Sequence, residues 1–181
     1  MINVYKKFLL ISGITSFLCL STNIVLSETM NDLVKRNELY FKKFTDIPFT
    51  GKIKGQHNGM IQKGFKDGYW TNYWDNGQLK SKGNYKNGKK EGYWFTFTKN
   101  GKLEFKDNYK NDKKDGLYEG YWENGEVKFR GYSKNGKQNG SFSQFTNNGR
   151  LVVKGNFKDG KLNGKWVFYN KNGTIEFTYD Y

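Results

Sequence analysis

The chain has 181 residues, so a single domain or a single repeat array is expected. Only 35% of its residues are hydrophobic but 18% are aromatic, which indicates that aromatic rings do most of the burying. The formal net charge is +14, yet 28 of the 31 basic residues are lysine, which lacks the planar fork that reads phosphates and guanine edges, so specific nucleic-acid recognition is not expected.

Residues 1–27 have the pattern of a secretory signal peptide, which we expect to form a helix. Lys6 and Lys7 make a short basic start, an apolar run follows over residues 8–20, and Ser27 ends a stretch of small and polar residues suited to cleavage. The pattern predicts export, with the mature protein periplasmic or secreted after cleavage near Ser27. An uncleaved N-terminal membrane anchor is the alternative, although the run is short for a span of about 20 residues.

Residues 28–48 are irregular, contain the only proline, Pro48, and are expected to cap the structure that follows. Residues 49–181 are predicted to form one array of β-hairpins. The part of this array before Gly68 has the composition of a shortened hairpin unit, with Asn58-Gly59 as its turn.

From Gly68 to Tyr181 the sequence repeats every 24 residues without an insertion. Five kinds of position recur in phase, which chance does not produce, so about five 24-residue repeats are predicted. The five columns are Gly68, Gly92, Gly116, Gly140 and Gly164; Trp70, Trp94, Tyr118, Phe142 and Trp166; Tyr73, Phe97, Tyr121, Phe145 and Tyr169; Gly77, Gly101, Gly125, Gly149 and Gly173, each preceded by Asn; and Leu79, Leu103, Val127, Leu151 and Ile175.

Each repeat is interpreted as two strands and two turns. An Asn-Gly pair between strands favours a two-residue turn in which both residues take positive φ. Asn76-Gly77 is one such turn and Asn87-Gly88 is the other, with Asn111-Asp112, Asn135-Gly136 and Asp159-Gly160 in equivalent places. Successive hairpins then form an open antiparallel β-meander, and the predicted fold class is all-β.

The register across Asn76-Gly77 can be worked out from the length of the turn. A two-residue loop places Trp74 opposite Leu79 and Trp70 opposite Gly83, and residues opposite each other share a face. We therefore expect the Trp70 ring to cover Gly83. The Trp70 column is expected to form the core of the array.

The aromatic column that begins at Tyr73 points to the other face, together with Lys80 and Lys82. A single-layer sheet cannot bury both faces by the same contacts, so an exposed aromatic stripe is a candidate partner surface. The predicted partner-binding residues are Tyr73, Phe97, Tyr121, Phe145 and Tyr169.

Three patterns in the repeat resemble the bacterial variant of the MORN (membrane occupation and recognition nexus) repeat. They are Gly-x-Trp-x-x-Tyr, Asn-Gly-x-Leu and Gly-x-Tyr-Lys-Asn-Gly-Lys, seen in residues 68–79 and 83–89, and the resemblance extends over about residues 48–181. Proteins of this variant are described as YwqK-like antitoxin components of toxin–antitoxin modules, which implies a protein-binding role that neutralises a toxin. The wider MORN family is linked to anionic lipid binding and to scaffolding.

The sequence offers little for catalysis. Cys19 is the only cysteine and lies in the predicted signal peptide, and His57 is the only histidine, expected at a turn. We therefore predict no catalytic residue, no cofactor and no metal site, and expect a protein that is not an enzyme. A carboxylate pair such as glycosidases use is the arrangement that the sequence leaves open.

The expected function is protein–protein interaction in the cell envelope, with a toxin as the partner that the resemblance implies. The alternative is a basic surface binder of anionic lipid or polysaccharide at the membrane, acting through lysines that flank the turns. The oligomeric state is not predicted.

Overall fold

The computed structural model describes residues 27–181. The predicted signal helix and nearly all of the predicted signal peptide therefore lie outside the described residues. Within residues 27–181, no helix has the length and apolar character needed to cross a membrane.

The described chain is almost entirely β-structure, preceded by one short 3₁₀ turn over Met30–Asp32. Twelve strands form one antiparallel sheet in chain order, from β3 to β14, and β1 and β2 form a separate hairpin. The prediction of an open antiparallel β-meander is confirmed. The strands are β1 (Leu33–Arg36), β2 (Leu39–Lys42), β3 (Gly51–Ile53), β4 (His57–Gln62), β5 (Phe65–Tyr73), β6 (Leu79–Lys86), β7 (Lys89–Phe97), β8 (Leu103–Lys110), β9 (Lys113–Tyr121), β10 (Val127–Lys134), β11 (Lys137–Phe145), β12 (Leu151–Lys158), β13 (Lys161–Tyr169) and β14 (Ile175–Asp180).

Two-residue turns with positive φ at both residues lie in a row at the ends of the strands. We call this row of strand ends one edge of the sheet. Asn87 and Gly88 have φ of 51° and 80°, and Lys86 pairs directly with Lys89 across them. This is the type I′ geometry, whose twist matches that of the strands it joins. The predicted turns at Asn111-Asp112, Asn135-Gly136 and Asp159-Gly160 also have positive φ at both residues.

The turns along the opposite edge differ from the prediction. At Asn76-Gly77 only the glycine has positive φ, the Trp74 amide donates to the Gln78 carbonyl at 2.8 Å, and the Gly77 amide donates to the Trp74 carbonyl at 2.9 Å. The loop thus has three residues, a type I turn closed by a left-handed glycine. The extra residue makes a bulge, so that Leu79 pairs with Tyr73; the predicted pairing with Trp74 is wrong.

In the three repeats that have a tryptophan in the Trp70 column, the indole lies on a glycine of the preceding strand. A Cβ atom built on Gly83 would lie 2.3 Å from the Trp94 indole, and the Trp94 Nε1 donates to the Asn84 carbonyl at 3.0 Å. Trp70 does pair with Gly83 in the strand register, as predicted, but the ring that covers Gly83 is Trp94. The covering ring therefore comes from the next hairpin along the sheet.

The same arrangement explains why the predicted turn at Asn58-Gly59 is wrong. Gly59 lies inside β4, where a Cβ atom would meet the Trp70 ring at 2.3 Å, and Trp70 Nε1 donates to the Met60 carbonyl at 3.2 Å. Strands β3 and β4 of this unit are joined by residues 54–56, and the turn Lys63-Gly64, with φ of 48° and 83°, joins β4 to β5. A glycine that receives a ring and a glycine that makes a turn give the same signal in the sequence.

The largest cluster of buried side chains lies at the N-terminal end of the sheet. It consists of Leu33, Ile53, Ile61, Trp70 and Trp94. Residues 28–48 contribute Leu33 to it. They join the array through backbone hydrogen bonds from the Lys54 amide to the Glu28 carbonyl at 2.9 Å, from the Tyr40 amide to the Gly64 carbonyl at 2.8 Å, and from the Phe49 amide to the Tyr40 carbonyl at 2.8 Å.

The opposite end of the sheet is open. Every residue of β14 is exposed, and the exposed fraction is 58% at both Ile175 and Tyr179. The two ends of the described array therefore differ in how much apolar surface they bury.

Replacing Gly83 by alanine should lower the free energy of unfolding by about 1–3 kcal/mol, because the added methyl group collides with an indole that a hydrogen bond holds in place. An open strand position would give the opposite sign, since alanine is the better strand residue by about 0.5–1 kcal/mol. Urea denaturation followed by circular dichroism measures the difference.

Asn84→Ala is the matched control, because it changes the neighbouring exposed side chain and keeps the carbonyl that accepts from Trp94. It should stay within about 0.5 kcal/mol of the unchanged protein. A Gly83→Ala protein as stable as the unchanged one would contradict the packing of Trp94 on Gly83.

Candidate binding face

We call the face that carries the Trp70 column the tryptophan face. Side chains of neighbouring strands on this face bury the tryptophan rings. Trp70 is 0% exposed and Trp94 is 4% exposed, and the N-terminal hairpin adds only Leu33 to the buried cluster that contains both rings. The Tyr85 ring meets Trp70 edge-on at 6.0 Å and Trp94 at 4.9 Å, and the ammonium groups of Lys66 and Lys90 lie 4.4 and 4.6 Å from the Trp70 and Trp94 rings. Tyrosine and lysine side chains of neighbouring strands thus cover the two indole rings.

The opposite face carries a row of cations beside the column that begins at Tyr73. We call it the cation–ring ladder and define it by Lys82, Lys106, Arg130 and Lys154 with Phe97, Tyr121, Phe145 and Tyr169. Lys82 lies 5.7 Å from the Phe97 ring, and the corresponding distances are 5.3 Å for Arg130 to Phe145 and 5.6 Å for Lys154 to Tyr169. All four rings are half-buried.

One rung of the ladder is neutralised internally. Lys106 forms an ion pair with Glu119 at 3.3 Å, and the Tyr121 hydroxyl donates to the same carboxylate at 2.9 Å. Burial, then the hydrogen bond and charge of Glu119, raise the pKa of Tyr121 to about 12. The other three cations, Lys82, Arg130 and Lys154, have no carboxylate within 4 Å in residues 27–181.

The first predicted site residue, Tyr73, lies outside the ladder. It is half-buried like its equivalents, but the place that Lys82 takes beside Phe97 belongs here to Asn58, 24 residues earlier. The structure therefore brings Phe97, Tyr121, Phe145 and Tyr169 next to cations or an ion pair and leaves Tyr73 without one. Rungs recur every second strand, which spaces them by about 9.6 Å.

Sequence reasoning missed three exposed rings on the ladder face. Tyr69, Tyr93 and Tyr132 are 56%, 46% and 48% exposed, and the Lys106 ammonium lies 4.9 Å from the Tyr93 ring. Strand alternation could have placed Tyr69 and Tyr93 there, because each directly precedes a residue of the Trp70 column. They widen the aromatic surface around the ladder.

The acidic residues near the type I′ turns have a structural role. The carboxylates of Asp67, Glu91 and Asp115 accept the backbone amides of Asn87, Asn111 and Asn135, at 3.3, 3.1 and 3.0 Å. Each carboxylate thus binds the first residue of the next turn along the edge. This use of the carboxylates lends no support to a glycosidase-like pair at these positions.

His57 begins strand β4, so the expectation that it lies at a turn is wrong. Its Nδ1 is 2.8 Å from the Asn72 Oδ1, and the Asn72 amide in turn donates to the Ser81 hydroxyl at 2.8 Å. In the part of the chain that the structure describes, no group of three or more His, Cys, Asp or Glu residues could hold a metal ion.

The repeats match a known family over part of their length. The family described as MORN repeat variant matches residues 66–87, 90–111 and 114–137. Three consecutive stretches of the chain are thus similar to this repeat variant, and they lie in the region where the ladder begins. No curated protein matches the chain.

Among solved structures, the chain is similar to a protein whose structure is titled "Crystal structure of GtfA/B complex bound to UDP and GlcNAc". The identity is 13%, the TM-score is 0.22, and the match covers 92% of this chain but 29% of that one. The chain thus spans less than a third of that protein, and a TM-score this low supports no conclusion about function.

Replacing Glu119 by glutamine should lower the pKa of Tyr121 toward its ordinary value of about 10, because the tyrosinate then meets Lys106 without an intervening negative charge. The unchanged protein and the Glu119→Gln variant are each titrated with alkali and followed by absorbance near 295 nm. Subtracting the curve of the matching protein that also carries Tyr121→Phe isolates the Tyr121 phenol. Glu176→Gln, on the exposed strand β14, is the control and should leave the titration unchanged. An unchanged Tyr121 titration in Glu119→Gln would contradict the contact.

Proposed function

We propose that this protein is a non-catalytic interaction module that binds another protein through the cation–ring ladder. The observation that supports this most directly is the continuity of the ladder, which crosses strands β6 to β13 with one cation and one ring per repeat. Repeat arrays commonly bind through such extended surfaces, built from one equivalent position per unit.

The chemistry of the ladder favours an acidic partner surface. Lys82, Arg130 and Lys154 lie against rings and not against carboxylates. A cation held over a ring keeps its charge available to an incoming carboxylate, and the contact itself contributes about 0.5–1 kcal/mol at an exposed site. The half-buried rings supply contact area at a small entropy cost, because two-torsion aromatic side chains lose little freedom.

The proposed partner is a toxin that this protein neutralises in the cell envelope. The resemblance to antitoxin-type repeat proteins supports the class of partner, and the signal-peptide pattern of residues 1–27 supports export. Under this proposal the mature chain works in the periplasm or outside the cell.

A second candidate function is suggested by one edge of the sheet. Four pairs of lysines stand directly opposite each other beside the type I′ turns: Lys86 and Lys89, Lys110 and Lys113, Lys134 and Lys137, and Lys158 and Lys161. Like charges directly opposite each other destabilise a strand pair. This lysine edge would suit the surface of an anionic lipid or polysaccharide.

The two candidates are separated by two triple variants that remove the same charge. The first triple variant removes three cations of the ladder and consists of Lys82→Gln, Arg130→Gln and Lys154→Gln. The second removes three cations of the lysine edge and consists of Lys134→Gln, Lys137→Gln and Lys158→Gln. If the ladder binds a protein, the first triple should raise the Kd for the purified partner by about tenfold or more, as expected for charge-assisted contacts at an interface. The second triple should change it only slightly.

Titration calorimetry with a partner captured from envelope extracts measures these constants. Cosedimentation with vesicles of phosphatidylcholine and phosphatidylglycerol tests the second candidate in parallel. Vesicle binding that is lost only in the lysine-edge triple, together with a protein Kd unaffected by the ladder triple, would overturn the proposed role of the ladder.

A further inference from the structure

A cavity of about 320 Å³ lies where the N-terminal hairpin β1–β2 meets the first type I′ turns of the array. This volume is at the lower end of the range for small-molecule sites, about 300–1,000 Å³. Three rings and three lysines contribute to its wall: Tyr40, Phe65, Tyr85, Lys35, Lys66 and Lys89. The cavity shares no lining residue with the ladder, because its walls come from the tryptophan face, the N-terminal hairpin and the first type I′ turns.

Lys66 is the central cation of this cavity. Its ammonium lies 4.4 Å from the Trp70 ring, 5.3 Å from the Tyr85 ring and 5.9 Å from the Tyr40 ring. No carboxylate in residues 27–181 lies within 4 Å of it. A cation enclosed by three rings has lost much of its water and has no anion in exchange.

The equivalent lysines of the next two repeats differ from Lys66 in having carboxylates nearby. Lys114 forms an ion pair with Asp107 at 2.7 Å. Burial lowers the pKa of Lys90, and the charges of Asp112 and Asp107 oppose that shift. Burial also lowers the pKa of Lys66, but there the nearby charges are Lys35 and Lys90, which lower it further.

The side chains that line the cavity carry a surplus of one positive charge. They include the ammonium groups of Lys35, Lys66 and Lys89 and the carboxylates of Glu38 and Asp112. Glu38 is paired with Lys35, Asp112 accepts the Lys90 amide at 2.7 Å, and neither carboxylate lies within 4 Å of the Lys66 ammonium. An anion would balance the site, and lysine is a common partner of phosphate groups.

We propose that this cavity binds a phosphomonoester carried by a small organic group, with the phosphate against Lys66 and the organic group against Tyr40 and Phe65. Such a ligand would touch both the N-terminal hairpin and the first repeats, and would therefore hold the cap to the array. The site stands independently of the ladder and of any protein partner.

The probe is phenyl phosphate, with inorganic phosphate as a comparison, titrated into the full chain at constant ionic strength and followed by tryptophan fluorescence. We expect saturable binding and an increase in Tm that grows with ligand concentration, because a ligand of the folded state stabilises it. Lys66→Met should weaken binding by about tenfold or more. Lys90→Met removes the equivalent cation over Trp94, outside the cavity, and should leave the affinity nearly unchanged.

A second pair of variants tests the cavity independently, in case Lys66→Met loses binding because it misfolds. Lys89→Gln lies on the rim of the cavity and should weaken binding severalfold, whereas Lys113→Gln, its equivalent one repeat later, should not. Vesicles that contain phosphatidic acid identify the source: binding lost in Lys66→Met would point to a lipid headgroup, and binding of phenyl phosphate alone to a soluble ester. Absence of saturable binding, or equal losses in each variant and its control, would overturn the proposal.

Discussion

The contact between a tryptophan ring and a glycine of the preceding strand is the interaction on which this sheet depends. A single-layer sheet has no helix or second sheet to cover its apolar side. Here the indoles of Trp70, Trp94 and Trp166 reach back over the preceding strand and lie on a glycine, a backbone position without a Cβ atom. Each indole also donates a hydrogen bond to the carbonyl of the residue after that glycine. The glycine coincides with a shift in the pairing register of the two strands, a bulge that adds local twist to the sheet.

Where the repeat loses the tryptophan or the glycine, other pairs take over. Asp107 stands at the glycine position of one repeat and forms its ion pair with Lys114, and Gly131 lies under the hydroxyl end of Tyr118. Phe142 lies against Phe129 and Trp166 instead of donating a hydrogen bond. These substitutions keep the face covered, so the meander continues without an added layer.

The sequence was sufficient for the period, the fold class and the type I′ turns, because Asn87-Gly88 and its equivalents demand positive φ at both residues. It was insufficient at Asn76-Gly77, since Asn-Gly also fits a three-residue loop with a single left-handed glycine, and the choice is made by pairing across the strands. It also misassigned Gly59 and the ring that covers Gly83, because contacts between non-paired residues leave no local pattern. On the candidate binding face, alternation placed Phe97 on the same side of the sheet as Lys82, but the exposure of Tyr69 and Tyr93 depends on what their neighbours leave uncovered.

The most direct measurement of the central claim is the nuclear magnetic resonance spectrum of the glycine Cα protons. If Trp94 lies on Gly83, the ring current should move the Gly83 Cα protons upfield, and they should show nuclear Overhauser contacts to the Trp94 indole; Gly155 should show the same toward Trp166. Ordinary strand shifts at both glycines, with no contact to those indoles, would contradict the account.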